Sequence, residues 1–437
     1  MILAIALILL ACAWLFNLGI LVYAFYALTA IFFVSHYFSS GWIKSLQASR
    51  RVNFLMADEG DTIPVAITVE NKGRLPISWV LIEDMLSKSD RAKPGARIAV
   101  TGRHMEVSDF KAGGKLQMMY QVQCIRRGYY QLGPLVAETG DLFGLNRRYR
   151  VLQNPTYLLV KPKVIPLTGY DVASRRPIGE IIITHRLFED PTRVAGVRQY
   201  QNGDALSRVH WRASARTGQL HSKVYEPSSV AGVTLLLDFH CDSFDKKNEP
   251  VRSELGVTCA ASIAHAVHQM GQQVGLVSNG RDAADRIREE GWRGDRRTRE
   301  EARDSVTMVE ESTRLRPVVV PTQRGDEQAQ NISQTLARLE KSDGLSFFEM
   351  IAESQQRFPR DASIVAILSR VDLAYGVALG ELRRQGFAVT AIINCMEIER
   401  FSQLSSALLA EGIETRHLYD EDSIRTICEK QVLMAHR

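Results

Sequence analysis

Residues 196–226 read GVRQYQNGDALSRVHWRASARTGQLHSKVYE. Arg198, Arg208, Arg212, Arg216 and Lys223 surround Trp211, and the carboxylates are Asp204 and Glu226. Guanidinium groups grip phosphate or carboxylate through paired hydrogen bonds, so such a density of cations could be a binding surface. With Asp204 as N-cap and Gly218 as stop, the spacing predicts a short helix. On it Arg208, Arg212 and Arg216 recur every fourth residue and share a face. Trp211 falls on another side, where an apolar pocket is expected to take the indole. QLHSKVYE then alternates like a strand. The signs of catalysis are poor. The sequence holds no GxxxxGK[ST] or GxGxxG loop, and Ser214 with His210 or His221 makes no evident triad. The readings rank as a structural brace or partner-docking surface, then a small anionic ligand site, then catalysis.

A second constellation follows the apolar run GVTLLLDFH. There LDFHCDS sets Asp238, His240, Asp242 and Ser243 at a strand end, where open parallel sheets bind ligands. Asp372, after AILSRV, could add a carboxylate from a neighbouring strand end. Carboxylates suit a hard divalent cation held through oxygen. His240 is a poor magnesium ligand and shifts the preference towards a transition metal. No cofactor is expected; a divalent cation on Asp238, His240, Asp242 and Asp372 is the exception to test. The opposing reading is a metal-free sheet edge.

These residues need elements to hold them. From 231 to 437, apolar runs alternate with helical patterns, as in a doubly wound parallel sheet. A stretch dense in both charge signs, 281–305, interrupts the pattern and reads as an exposed insertion. Residues 45–166 show period-two alternation with turn signals, the pattern of an antiparallel β-sandwich. Residues 167–230 link the two and hold the arginine segment. Residues 1–40 carry two uncharged apolar runs, Ile2–Phe16 and Ile20–Phe38, separated by Asn17 and Gly19. This predicts a transmembrane helical hairpin rather than a cleaved signal, because no cation precedes it. Lys44, Arg50 and Arg51 follow at once, placing the rest of the chain in the cytoplasm by the positive-inside rule.

Bulk properties agree. The 437-residue chain has a net charge of +5, and its 24% charged residues are an ordinary fraction. That excess does not imply nucleic-acid binding, and no nucleic acid is expected. The six cysteines, Cys12, Cys124, Cys241, Cys259, Cys395 and Cys428, form no CxxC pair and read as reduced thiols.

Two motifs carry a resemblance. VRQYQNGDALSRVHWRASARTGQL, 197–220, resembles V-R-x-Y-x-x-G-D-D-x-R-x-I-D-W-x-A-S-A-R-T-G-x-L of the domain of unknown function 58 family. Upstream, RRGYYQLGPLVAETGDLFGL resembles that family's RG-x-Y-x-L-G-P…D-x-F-G-L. Ala205 and His210 stand where the family pattern has Asp. The resemblance implies a membrane-anchored protein with a C-terminal half similar to a von Willebrand factor A domain. In that domain Asp238 would be the first metal ligand of an eroded site. It also implies association with MoxR-type AAA+ ATPases in assembling or maturing other proteins, with no established enzymatic activity. The expectation is therefore a non-enzymatic, inner-membrane adaptor with cytoplasmic domains, docking such an ATPase or another protein. The alternatives are a metal-dependent hydrolase or ligase using Asp238, Asp242 and Asp372, and a sensor of a small anion at the arginine face.

Overall fold

The structure is a computed structural model that describes residues 8, 11–12, 14–15, 19–87, 96–141, 146–167, 189–200, 209–227, 232–290, 299–300, 315–359 and 362–427. It is mixed α/β, with an apolar N-terminal helix and several β-sheets. The chain forms two compact units: residues 1–163 with 281–312 and 333–340, and residues 164–280 with 313–332 and 341–437.

In the first unit, helix α1 (Gly19–Ser45) has no charge before Lys44 and is long and apolar enough to cross a membrane. The first half of the expected hairpin lies mostly outside the described residues. From Ser35 onward α1 is engaged with protein. Ser35 and Ser39 are buried, and Trp42 and Ile43 join the core. Asp141 accepts the Ser35 hydroxyl, and Asn146 Nδ2 donates to Ser35 Oγ at 2.7 Å. Arg150 Nη1 donates to the carbonyls of Ile43 and Lys44 at 3.1 and 2.9 Å, satisfying orphaned groups at the helix end. The candidate span, Val22–Ser45, includes most of the expected second apolar run.

The helix passes directly into β1 (Leu46–Val52), followed by β2 (Met56–Asp58), β3 (Thr62–Asn71), β4 (Ile77–Leu86), β5 (Ile98–Gly102), β6 (Met105–Phe110), β7 (Lys115–Cys124), β8 (Gly128–Gly140), β9 (Arg147–Gln153) and β10 (Thr156–Lys161). They form one sheet of order β1-β3-β7-β5 and a second of order β2-β10-β8-β4-β6, with β9 paired to β8. The period-two reading holds in β3 and β7. Ile63, Val65, Ile67 and Val69, and Met118, Tyr120, Val122 and Cys124, point into one core shared by both sheets.

The upstream motif is structural. Gly133 has φ +94°, and a Cβ there would fall on the Arg50 guanidinium. That guanidinium is fully buried against Asp84 and also donates to Leu132 O at 3.1 Å. A side chain on Gly128 would strike the ring of Tyr130, whose hydroxyl donates to Arg126 O at 2.8 Å. Arg127 Nη1 donates to the carbonyls of Leu336 and Leu339 at 2.7 and 2.8 Å. Phe143, Gly144 and Leu145 lie outside the described residues.

Part of the charged stretch lies among the described residues. Residues Ala283–Glu290 are helical, and Arg286 grips both oxygens of Glu340, at 2.5 and 2.6 Å. Arg281 is buried. Residues 281–287 are therefore held within the first unit, while Arg288 is exposed, because charges such as Arg286 and Glu340 pair with specific partners.

In the second unit, β11 (Glu189–Gln199) and β12 (His221–Pro227) form an antiparallel pair around helix α2 (Trp211–Thr217). Then come β13 (Gly232–Leu237), α3 (Val251–Gln269), β14 (Gln273–Ser278), β15 (Val318–Gln323), α4 (Phe347–Ser354), β16 (Ala362–Leu368), α5 (Leu373–Arg384), β17 (Val389–Asn394), α6 (Ile398–Ala410), β18 (Glu414–Leu418) and α7 (Glu421–Thr426). The sheet order is β15-β14-β13-β16-β17-β18. Every pairing is parallel except β15, which runs antiparallel to β14 at the edge. That strand was not anticipated: its short VVVPTQ run contains Pro321, a residue confined to edges because it cannot donate to a ladder. β13, β16 and β17 are buried along their whole length, as strands covered on both faces must be.

Candidate functional site

The chain leaves β13 for β14 on one side, and β16 pairs on the other. The loops after β13 and β16 therefore open a crevice at the topological switch point, the usual ligand position in such sheets. Asp238 lies at its floor, 1% exposed. Asn279 Nδ2 donates to its Oδ1 at 2.9 Å, and the Tyr375 hydroxyl donates to its Oδ2 at 2.9 Å. The backbone N–H of His240 adds a longer bond of 3.4 Å. Asn279 is itself held, accepting from Phe239 N at 2.6 Å and donating to Leu345 O at 3.1 Å. Tyr375 stacks flat on Phe347, with ring centres 4.8 Å apart. Burial, then the nearby Asp238 charge, pushes the Tyr375 phenol well up, so it stays a proton donor.

Asp372 is used elsewhere. Its Oδ1 caps α5, accepting from Ala374 N at 3.0 Å and Tyr375 N at 3.3 Å. Asp242 is largely exposed, 3.9 Å from His240 Nδ1. The four expected metal residues therefore do not converge. Both oxygens of Asp238 are taken by neutral donors, and Asp372 faces its own helix end. This set does not fit a hard cation, which asks for an oxygen shell on one point. The compact donor group in the crevice is instead His240, Cys241 and Asp242, whose ligand atoms lie within 4.8 Å of one another. Asn279, Tyr375 and Cys241 were missed. Cys241 stands inside LDFHCDS and could have been weighed as a ligand. Asn279 and Tyr375 carry no local signal.

The arginine segment also differs from expectation. The helix is Trp211–Thr217, and its N-cap is His210, whose Nδ1 accepts from Ala213 N at 3.0 Å. Val209 pairs with Ser222 in extended conformation, so the helix does not include position 209. Asp204 and Arg208 lie outside the described residues, and Asp204 is not the cap. The imidazole of His210 does the acceptor's work that an Asp would do. Gly218, with φ +69°, ends the helix as expected.

Trp211 is 68% exposed, not pocketed. The contact between α2 and β12 is made by Ser214, whose Oγ accepts from His221 N at 2.9 Å. Arg212 and Arg216 share the exposed face, and neither makes an ion pair with a described residue. Arg198 is exposed on β11, and Lys223 is half-buried on β12, paired with Val197.

The profile of the family described as "Protein of unknown function DUF58" matches residues 196–344, which include helix α2, β12 and the Asp238–Asp242 and Asn279 part of the crevice. That match supports assignment of this segment to the DUF58 family. The uncharacterized protein YeaD of Bacillus subtilis (strain 168) is 28% identical over 242 residues, 55% of this chain and 57% of that protein. The match thus spans just over half of the relative's length. Among solved structures, the CARDB domain of the PF1109 protein from Pyrococcus furiosus covers 26% of this chain and 86% of its own, at 11% identity and a TM-score of 0.17. Proximal thread matrix protein 1 from the mussel byssus covers 46% of this chain and 44% of its own, at 11% identity and a TM-score of 0.29. Likenesses this slight carry no argument.

Proposed function

We propose that the chain is a membrane-anchored, non-enzymatic adaptor whose arginine–tryptophan hairpin docks an acidic face of a MoxR-type AAA+ ATPase. The observation that carries this reading is Trp211, exposed beside Arg212 and Arg216, which have no carboxylate partner among the described residues. Trp and Arg are the residue types that dominate binding energy at protein interfaces. A structural brace is disfavoured by the same exposure. The hydrolase alternative is disfavoured by the engagement of Asp238 with Asn279 and Tyr375. In this reading the first unit is a β-sandwich spacer at a cytoplasmic membrane, crossed by an N-terminal hairpin. The second unit is a von Willebrand factor A-like domain with its metal carboxylate turned to a structural use.

The test is capture of a purified MoxR-type ATPase by the full-length chain in detergent. Binding is expected for the wild type and lost in the Trp211→Ala, Arg212→Glu, Arg216→Glu triple variant. Equal capture by both proteins would refute docking at the hairpin.

A further inference from the structure

The crevice holds a donor set that the buried carboxylate does not use. His240, Cys241 and Asp242 are consecutive, immediately beyond the end of β13. The turn is pinned in place: Cys241 N donates to Ser342 O at 2.9 Å, and His240 bridges to Ser342. The thiol sulfur lies 3.8 Å from Asp242 Oδ1, and His240 Nδ1 lies 3.9 Å from Asp242 Oδ2. Around a tetrahedral zinc ion, bonds of about 2.0–2.3 Å put neighbouring ligands roughly 3.3–3.5 Å apart. These two separations exceed this by roughly 0.3–0.6 Å, and all three ligand atoms lie within 4.8 Å of one another. Cys241 and Asp242 are both exposed, so their side chains can close that gap without moving the core.

We propose that His240, Cys241 and Asp242 bind a borderline-soft transition metal ion, of the zinc class, at the mouth of the crevice. The donor chemistry selects the ion. Imidazole and thiolate favour zinc-like metals, whereas magnesium and calcium require oxygen shells. The sheet topology supplies independent support, because the donors stand at the switch point where such folds bind ligands. Ligation through Nδ1 replaces the 3.2 Å hydrogen bond from Asp242 N to His240. Asp242 N is then left beside an exposed side chain, where water serves it. Three protein ligands leave a fourth position open for water or for a side chain of a bound partner. Asp238 stays beneath, held by Asn279 and Tyr375, and takes no part.

The experiment uses the full-length chain in detergent, stripped of metal and titrated with Co²⁺ as a spectroscopic stand-in for Zn²⁺. One equivalent is expected to produce a thiolate-to-cobalt charge-transfer band that Zn²⁺ abolishes and excess Mg²⁺ does not. The band is expected to vanish in Cys241→Ser, and affinity to fall roughly tenfold or more in His240→Ala. In the wild type, Zn²⁺ is expected to protect Cys241 from maleimide, read on its peptide. Absence of the band, its survival in Cys241→Ser, displacement by Mg²⁺, or unprotected labelling of Cys241 would each overturn the site. None of these readouts depends on partner docking.

Discussion

Tyr375 donates its hydroxyl hydrogen to Oδ2 of Asp238 across 2.9 Å, while Asn279 serves Oδ1. Both carboxylate oxygens are thereby met by neutral donors, and the carboxylate becomes part of the fold. Tyr375→Phe keeps the stack on Phe347 and removes the one bond. An unsatisfied buried acceptor costs about 1–3 kcal/mol, so the melting temperature should fall. Adding Asp238→Asn should recover part of the loss. An unchanged melting temperature in Tyr375→Phe would show that the hydroxyl does not hold the carboxylate.

Arg50 and Asp84 form a fully buried ion pair that Tyr120 and Leu132 complete, with Tyr120 Oη donating to Asp84 Oδ2 at 2.7 Å. Arg50→Met leaves Asp84 buried without its countercharge. Loss of one partner of such a pair costs about 3–5 kcal/mol. Urea unfolding should show a clearly lower midpoint, and the double variant Arg50→Met, Asp84→Leu should lie above the single one.

The hairpin surface should behave oppositely. Arg212 and Arg216 touch no described carboxylate and Trp211 stands in solvent, so substitution there removes little native contact. The Trp211→Ala, Arg212→Glu, Arg216→Glu triple variant should melt with the wild type. A large drop in melting temperature would mark the segment as a brace.

His417 stacks on Phe401, with ring centres 4.6 Å apart, and burial holds its imidazole below the ordinary value. The folded chain therefore keeps the ring neutral where the unfolded chain, with a value of about 6.5, takes up a proton. Stability from this group is complete above that value and is lost as pH falls towards the folded value. Thermal melts between pH 7.5 and 5.5 should show this decline, reduced in His417→Phe, which keeps the stack. An identical decline in both would assign it to other groups.

Local patterning foretold a good deal. Alternation in β3 and β7, the continuous apolar runs of β13, β16 and β17, the stop at Gly218 and the family motifs all follow from side chains within a few residues of one another. The strand-end crevice was legible too, because apolar runs ending in polar residues mark where a parallel sheet meets solvent. What failed needed partners distant in the chain. Asp238 is bonded to residues 41 and 137 positions away, so its burial and its loss of metal-binding geometry have no local mark. Asp204 is a good capping residue type, but the pairing of Val209 with Ser222 starts the helix later and makes His210 its cap. The same packing brings Ser214 against β12 and turns Trp211 outward. Periodicity can put residues on one face of an element. Which face is buried, and which donors meet there, was decided only when the sheet closed around them.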